Sequence, residues 1–184
     1  MGTLTLKPHP DHPPHGVTGV EAAIIGLTGH WLRVRWRVEG AGSVLVPPFA
    51  GKGRADGLWQ ETCFELFVKK PSEAAYTELN RSPSERWAAY DFADYRAGSA
   101  NRMMPRHPDC TVRIGPGMML FDAALPLGGL PPLPWRLGIS AVIEEQADDG
   151  ARVKSYWALE HPPGKADFHS PACFAAKLAP PIAA

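Results

Sequence analysis

Residues 58–96 read LWQETCFELFVKKPSEAAYTELNRSPSERWAAYDFADYR. Three strand-like runs lie in this stretch, at 62–69, 75–80 and 87–92. The first alternates, with Phe64, Leu66 and Val68 on one side and Cys63, Glu65 and Phe67 on the other. The second sets Thr77 and Leu79 against Tyr76, Glu78 and Asn80. Alternation of period two over such lengths marks half-buried strands. The breaks between the runs, KPSE and RSPSE, are made of residues that initiate turns. The stretch therefore predicts an antiparallel meander. One face packs on a core, and the other presents carboxylate, amide and aromatic groups, which is where a function is expected.

The flanks extend the same pattern. On the N-terminal side, 20–28 and 30–39 flank Gly29 as a hairpin. In the second of these runs Trp31, Arg33, Arg35 and Arg37 alternate with Leu32, Val34, Trp36 and Val38. The arginine row reads as a solvated face or as one that meets acidic residues on a neighbouring strand. A short strand is expected at 3–6 and another at 43–46. The segment KPHPDHPPHG between the first two strands holds four prolines, which exclude helix and central strand. It reads as an extended arm with solvated His9, His12 and His15. On the C-terminal side, 111–114 and 118–125 form a hairpin around GPG, Trp135–Gln146 is a long apolar strand, and 153–159 returns after DDG. A last edge strand is expected at 173–178. About ten short strands and no helix predict an all-β fold, a sandwich or jelly roll, in one domain over residues 1–184.

Composition narrows the function. Nineteen basic and nineteen acidic residues give zero formal net charge. Neither a nucleic acid nor an anionic membrane surface is expected as the main partner. Three cysteines, Cys63, Cys110 and Cys173, without CxxC spacing predict neither a disulfide framework nor a thiolate zinc site. The N-terminus has no apolar h-region, so a cytoplasmic location is expected. GKGRADG at 51–57 does not match a phosphate-binding loop.

Polar and aromatic residues cluster in three places. The first is Trp59, Gln60 and Glu61 with Glu65. The second runs from Glu78, Asn80, Ser82 and Trp87 to Asp91, Tyr95 and Arg96. The third comprises Tyr156, Trp157, Glu160, His161, Lys165, Asp167 and His169. Rings beside carboxylates and amides suit a sugar, whose apolar face stacks and whose hydroxyls pair with polar groups. Trp59 and Trp157 stand out because each borders a long Gly/Pro loop. Glycoside hydrolysis would need two carboxylates across a cleft, and Glu61, Glu65 and Glu78 are the candidates. No hydrolase or metalloprotease motif accompanies them. Haem ligation through Met103, Met104 and His107 or through His161 is an alternative, although no c-type attachment motif occurs.

Four segments, 58–68 (LWQETCFELFV), 76–87 (YTELNRSPSERW), 90–98 (YDFADYRAG) and 156–169 (YWALEHPPGKADFH), resemble the bacterial DOMON-like proteins related to type-9 carbohydrate-binding modules. The resemblance implies an antiparallel β-sandwich of jelly-roll-like topology with a ligand site on a concave sheet face and its loops. It implies a sugar held between two tryptophans or, in DOMON relatives, haem or another cofactor. On that basis Trp59 and Trp157 are the candidates for an aromatic clamp, and Glu61, Glu78, Asn80 and Arg96 for polar contacts. His161 and His169, in the third cluster, complete the candidate set. The acidic calcium-binding loops of some such modules are not evident, nor is a catalytic partner domain. The expectation is a non-catalytic binder of a small ligand, a saccharide or a sugar-containing metabolite. A haem or redox-cofactor binder, or a protein-interaction module that has lost the ligand, are the alternatives.

Overall fold

The computed structural model describes residues 2–180. Thirteen strands run through them: β1 (Leu4–Pro8), β2 (Gly19–Leu27), β3 (Trp31–Glu39), β4 (Gly53–Arg54), β5 (Cys63–Lys69), β6 (Tyr76–Arg81), β7 (Arg86–Phe92), β8 (Ala100–Asn101), β9 (Asp109–Ile114), β10 (Met118–Pro126), β11 (Trp135–Gln146), β12 (Arg152–Ala158) and β13 (Ala176–Leu178). Four short 3-10 turns join them, and no α-helix occurs among the described residues.

The strands make one curled sheet in the order β4-β7-β6-β5-β11-β12-β1-β2-β3-β10-β9, with β8 added on β7 and β13 on β11. The expected meander is β5-β6-β7, antiparallel throughout, with Glu65 opposite Asn80 and Glu78 opposite Tyr90. The expected hairpins β2-β3 and β9-β10 also form. Two details differ from the sequence reading. The sheet is mixed, because β4, inside the GKGRADG loop, pairs parallel with β7. Residues 43–46 are no strand: a 3-10 turn at Ala41–Ser43 leads to a single bridge from Val44 to Glu145.

The sheet curls because β1 belongs to both halves. Leu4, Thr5 and Leu6 pair with Ala22, Glu21 and Val20 of β2, and then Lys7 and Pro8 pair with Ala158 and Trp157 of β12. The two halves close over a common core. Phe64 of β5 stacks on Phe121 of β10 at 4.4 Å, and Trp36 of β3 packs on Phe64 at 5.6 Å. The alternating apolar residues supply that core. Phe64, Leu66 and Val68 of β5 and Leu137, Ile139, Ala141 and Ile143 of β11 all face it. The arginine row of β3 lies on the outer face, where Arg35 pairs with Asp122 of β10 through two hydrogen bonds of 2.6 and 2.7 Å. Arg37 pairs with Glu21 and Glu39. Such half-exposed pairs contribute on the order of 1 kcal/mol or less each.

The histidine-rich arm is anchored at two points. His9 is 1% exposed, with its Nε2 2.9 Å from the Gly164 carbonyl, and its Nδ1 accepts from the Asp11 N–H. The expectation of a solvated His9 is corrected, because the pairing of Lys7 and Pro8 with β12 carries the next residue under the 162–164 loop. The second anchor is Glu145, fully buried at the end of β11. Its carboxylate accepts from the backbone N–H groups of His15, Gly16 and Val17 and from the Ser43 hydroxyl, at 2.6–2.9 Å. Gly40 completes this corner. It has φ +72, and a Cβ there would lie 2.2 Å from the Gly16 carbonyl oxygen, so only glycine fits. The three cysteines are free and buried.

Candidate functional site

The outer face of the meander faces a pocket of about 690 Å³. Its floor follows from strand parity. Residues opposite each other on neighbouring strands share a face, so Ser140 of β11, Glu65 of β5 and Asn80 of β6 form one row. Phe67, Glu78 and Tyr90 form the next, and Tyr76 with Phe92 the third. Val142 and Tyr156 extend the face across β11 and β12. The walls come from loops: Arg96 and Ser99 after β7, and Lys165, Ala166, Phe168 and His169 after β12. Trp59 stands at the rim, 51% exposed, with His12 of the anchored arm also lining the pocket.

The deepest polar groups are Glu65, Glu78 and Asn80, which are 3%, 7% and 2% exposed. Asn80 Nδ2 donates to Glu78 Oε1 at 2.7 Å, while its Oδ1 has no hydrogen-bond partner. The Ser140 hydroxyl is 3.4 Å from Glu65 Oε2. Burial pushes the Glu65 carboxyl well above the usual carboxylate range, and the nearby Glu78 charge adds to the rise. Burial likewise raises Glu78, against the hydrogen bond from Asn80 and the charge of Arg96.

One wall is a hydrogen-bonded chain. Arg96 has φ +51, a left-handed conformation uncommon outside glycine. Its backbone N–H donates to the Tyr76 hydroxyl at 3.2 Å, and its guanidinium donates to Asp167 at 2.7 Å. Tyr95 donates to the other Asp167 oxygen, and the His169 N–H donates to the first. Burial works to raise Asp167, but the hydrogen bonds from Tyr95 and Arg96 outweigh it and hold the group below its ordinary value. Burial, then the charge of Arg96, pushes His169 down to about 4, so the ring is neutral at pH 7. Its Nδ1 lies 2.8 Å from the Tyr76 oxygen. A neutral ring whose Nδ1 accepts from Tyr76 carries its proton on Nε2, which lies 3.7 Å from Glu78 Oε2.

The neutral ring sets the sign of a pH effect. A folded value below the unfolded one means that the unfolded chain binds more protons in between. The contribution of His169 to stability is complete above the unfolded value near 6.5 and is lost as pH falls through about 4. Histidine signals followed by NMR should show the His169 ring titrating near pH 4; a midpoint near 6.5 would contradict the wall as described.

The candidates from sequence divide. Trp59, Glu78, Asn80, Arg96 and His169 come together around the pocket. Trp157 does not: it is 3% exposed in the core between the two halves, with its Nε1 donating to the Ser155 hydroxyl. The proposed tryptophan clamp is therefore not formed. Trp157 pairs with core-facing Ala141, and its neighbour Tyr156, opposite Val142, takes the pocket face. Glu61 is exposed and outside the pocket. His161 lines a separate recess beside Lys7 and Pro8, its Nε2 2.9 Å from the Lys7 carbonyl. His107 accepts from Trp87 Nε1 at 3.2 Å and also lies apart from the pocket. Among the described residues no three His, Cys, Asp or Glu side chains converge as metal ligands. Sequence reasoning named Tyr156 in the third cluster without making it a ligand contact, and it missed Phe168, Tyr90 and Phe92 as lining residues. The alternation of β12 carries the signal for Tyr156, since it shares a side with Lys154 and Glu160 while Trp157 shares one with Val153 and Leu159.

No protein-family model matches the chain, and no curated protein matches it. Among solved structures, the chain is similar to a protein of Bacteroides uniformis proposed to bind carbohydrate, with 14% identity and a TM-score of 0.62 over 97% of this chain and 86% of that one. It also aligns with a family 9 carbohydrate-binding module of Caldicellulosiruptor kristjanssonii solved in complex with glucose, at 11% identity and TM-score 0.46 over 95% of this chain and 83% of that one. The same organism's module in complex with cellotriose aligns at 12% identity and TM-score 0.42, over 88% and 75%. The likeness to the Bacteroides protein is one of fold; the other two are too distant to bear on this site. The class the fold and pocket define is an all-β protein with a recessed, aromatic-walled, acceptor-rich cavity on its sheet.

Proposed function

We propose that this pocket binds a saccharide or a sugar-containing metabolite, without catalysis, on a jelly-roll-like sandwich of the kind seen in carbohydrate-binding modules. The observation that carries the reading is Asn80, a residue lining the pocket whose Oδ1 is buried without a partner, beside two buried carboxylates. A buried acceptor left unpaired costs about 1–3 kcal/mol, and a ligand that donates hydroxyl protons offsets that cost. Tyr156, Phe168 and Tyr90 offer apolar faces beside those acceptors, and exposed Trp59 offers another at the mouth. Rings next to convergent polar groups suit a pyranose better than a flat aromatic ligand or a lipid.

The protein-interaction alternative would be favoured by a sheet face filled with side chains, and this face is open. The small-ligand reading also accords with the source of the fold likeness, a protein itself proposed to bind carbohydrate.

Calorimetric titration with a panel of mono- and disaccharides is the test. At least one sugar should bind with measurable heat, and Asn80→Ala should weaken it by about tenfold or more, the equivalent of one hydrogen bond to a buried acceptor. A panel that gives no heat removes the sugar reading.

A further inference from the structure

We infer that the preferred ligand is cationic, an amine-bearing sugar whose ammonium group seats between Glu65 and Glu78. This rests on the saccharide reading and specifies the chemistry at the bottom of the same pocket.

The two carboxyls at the bottom of the pocket have no ion-pair partner from Lys or Arg among the described residues. Among the described residues no Lys or Arg nitrogen lies within 4.0 Å of a Glu65 or Glu78 oxygen. His169, 3.7 Å from Glu78 Oε2, is held neutral, and Arg96 acts on the two carboxyls through its charge alone, with no hydrogen bond to either. Arg96 lines the pocket, but its guanidinium is turned to Asp167 through two hydrogen bonds. Lys165 lines the pocket from an exposed loop position at its mouth. Two carboxyls are thus buried on neighbouring strands with no basic group hydrogen-bonded to them, so that ionising them without a partner is costly. Asn80 supplies the independent sign of a missing donor. Its Oδ1 is unpartnered in a residue that is 2% exposed and that holds Glu78 through its Nδ2.

An ammonium group suits a floor of acceptors. It has three N–H donors and no acceptor, and it supplies the charge that two carboxylates lack. A sugar hydroxyl donates one proton and brings an oxygen that competes with the carboxylates. The ring walls agree: Tyr90, Phe92, Tyr156 and Phe168 line the same cavity, and aromatic faces attract cations, more so when desolvated.

The experiment compares three sugars on the wild-type protein near pH 6.5, by calorimetry: D-glucose, D-glucosamine and N-acetyl-D-glucosamine. Glucosamine should bind at least tenfold more tightly than the other two, because acetylation removes the charge while keeping the nitrogen. In folded Glu65→Gln and Glu78→Gln variants, checked by thermal melting, the ratio of glucosamine to glucose affinity should collapse toward one. Equal binding of the three sugars, or a ratio unchanged in both variants, overturns the amine assignment and leaves the saccharide reading standing. Heat from none of the three overturns the amine assignment, and the wider sugar panel then decides the saccharide reading separately.

Discussion

Replacing Trp157 by alanine is expected to destabilise the fold by about 3–5 kcal/mol, the range for truncating a buried tryptophan. The side chain is 3% exposed and sits among the residues that join the two halves of the sheet. Removing it leaves a cavity between rigid strands and frees the Ser155 hydroxyl that its indole now engages. In a chain of this length each kcal/mol moves the melting temperature by roughly 2–4 °C, so a fall on the order of 10 °C should appear in a thermal melt. Tyr156→Ala, one residue away, should behave differently. Tyr156 is half-buried on the pocket side, packed against Phe168 and His12. Its loss should cost roughly 1 kcal/mol of stability and weaken ligand binding by about tenfold, the worth of one aromatic contact. If Trp157→Ala instead melts like the wild type and loses ligand, the facing of β12 is wrong.

Glu145→Ala should be comparably damaging, at about 3–5 kcal/mol, because one carboxylate satisfies three backbone N–H groups and a hydroxyl. Each buried donor left unpaired costs about 1–3 kcal/mol, and the total is limited because residues 15–17 can swing out to water. Denaturant unfolding should show the lowered midpoint, and hydrogen exchange should show faster loss at the His15, Gly16 and Val17 amides. Glu145→Gln keeps one acceptor oxygen in place and should lose about half as much. The corner also bears on binding, since the arm it anchors carries His12 to the pocket. A Glu145→Ala protein with unchanged midpoint and unchanged exchange at 15–17 would show that the arm is held from elsewhere.

The meander was legible because its alternation is strict. Tyr76, Glu78 and Asn80 must share a side of β6, and the apolar partners of β5 settle which side faces the core. Glu65 was equally legible on the outer side of β5. Trp157 was misread because size outweighed parity. A large ring beside a Gly/Pro loop suggests a binding surface, whereas the apolar residues that share its side, Val153 on β12 and Leu159 just after it, place it inside. His9 was misread because prolines exclude helix and sheet interior without excluding burial. The walls built from Arg96, Phe168 and His169 lie on loops without periodicity, so the clustering of polar and aromatic residues and the resemblance pointed to that region without placing its side chains. The mutual arrangement of Asp167, Arg96 and Tyr76 depends on contacts far apart in sequence, which no local pattern encodes. Glu145 carried no signal either, being one acidic residue at the end of an apolar strand.

Asn80, with its Oδ1 buried and unpartnered, is the residue of the pocket on which sugar binding most depends. NMR of the protein labelled at asparagine side-chain amides, titrated with the sugar that gives the largest heat, tests it most directly. The Asn80 amide signals should shift with the same saturation curve as the heat, together with the Trp59 indole at the rim. A sugar that binds while the Asn80 signals stay fixed, with shifts elsewhere on the surface, would contradict the assignment of this pocket.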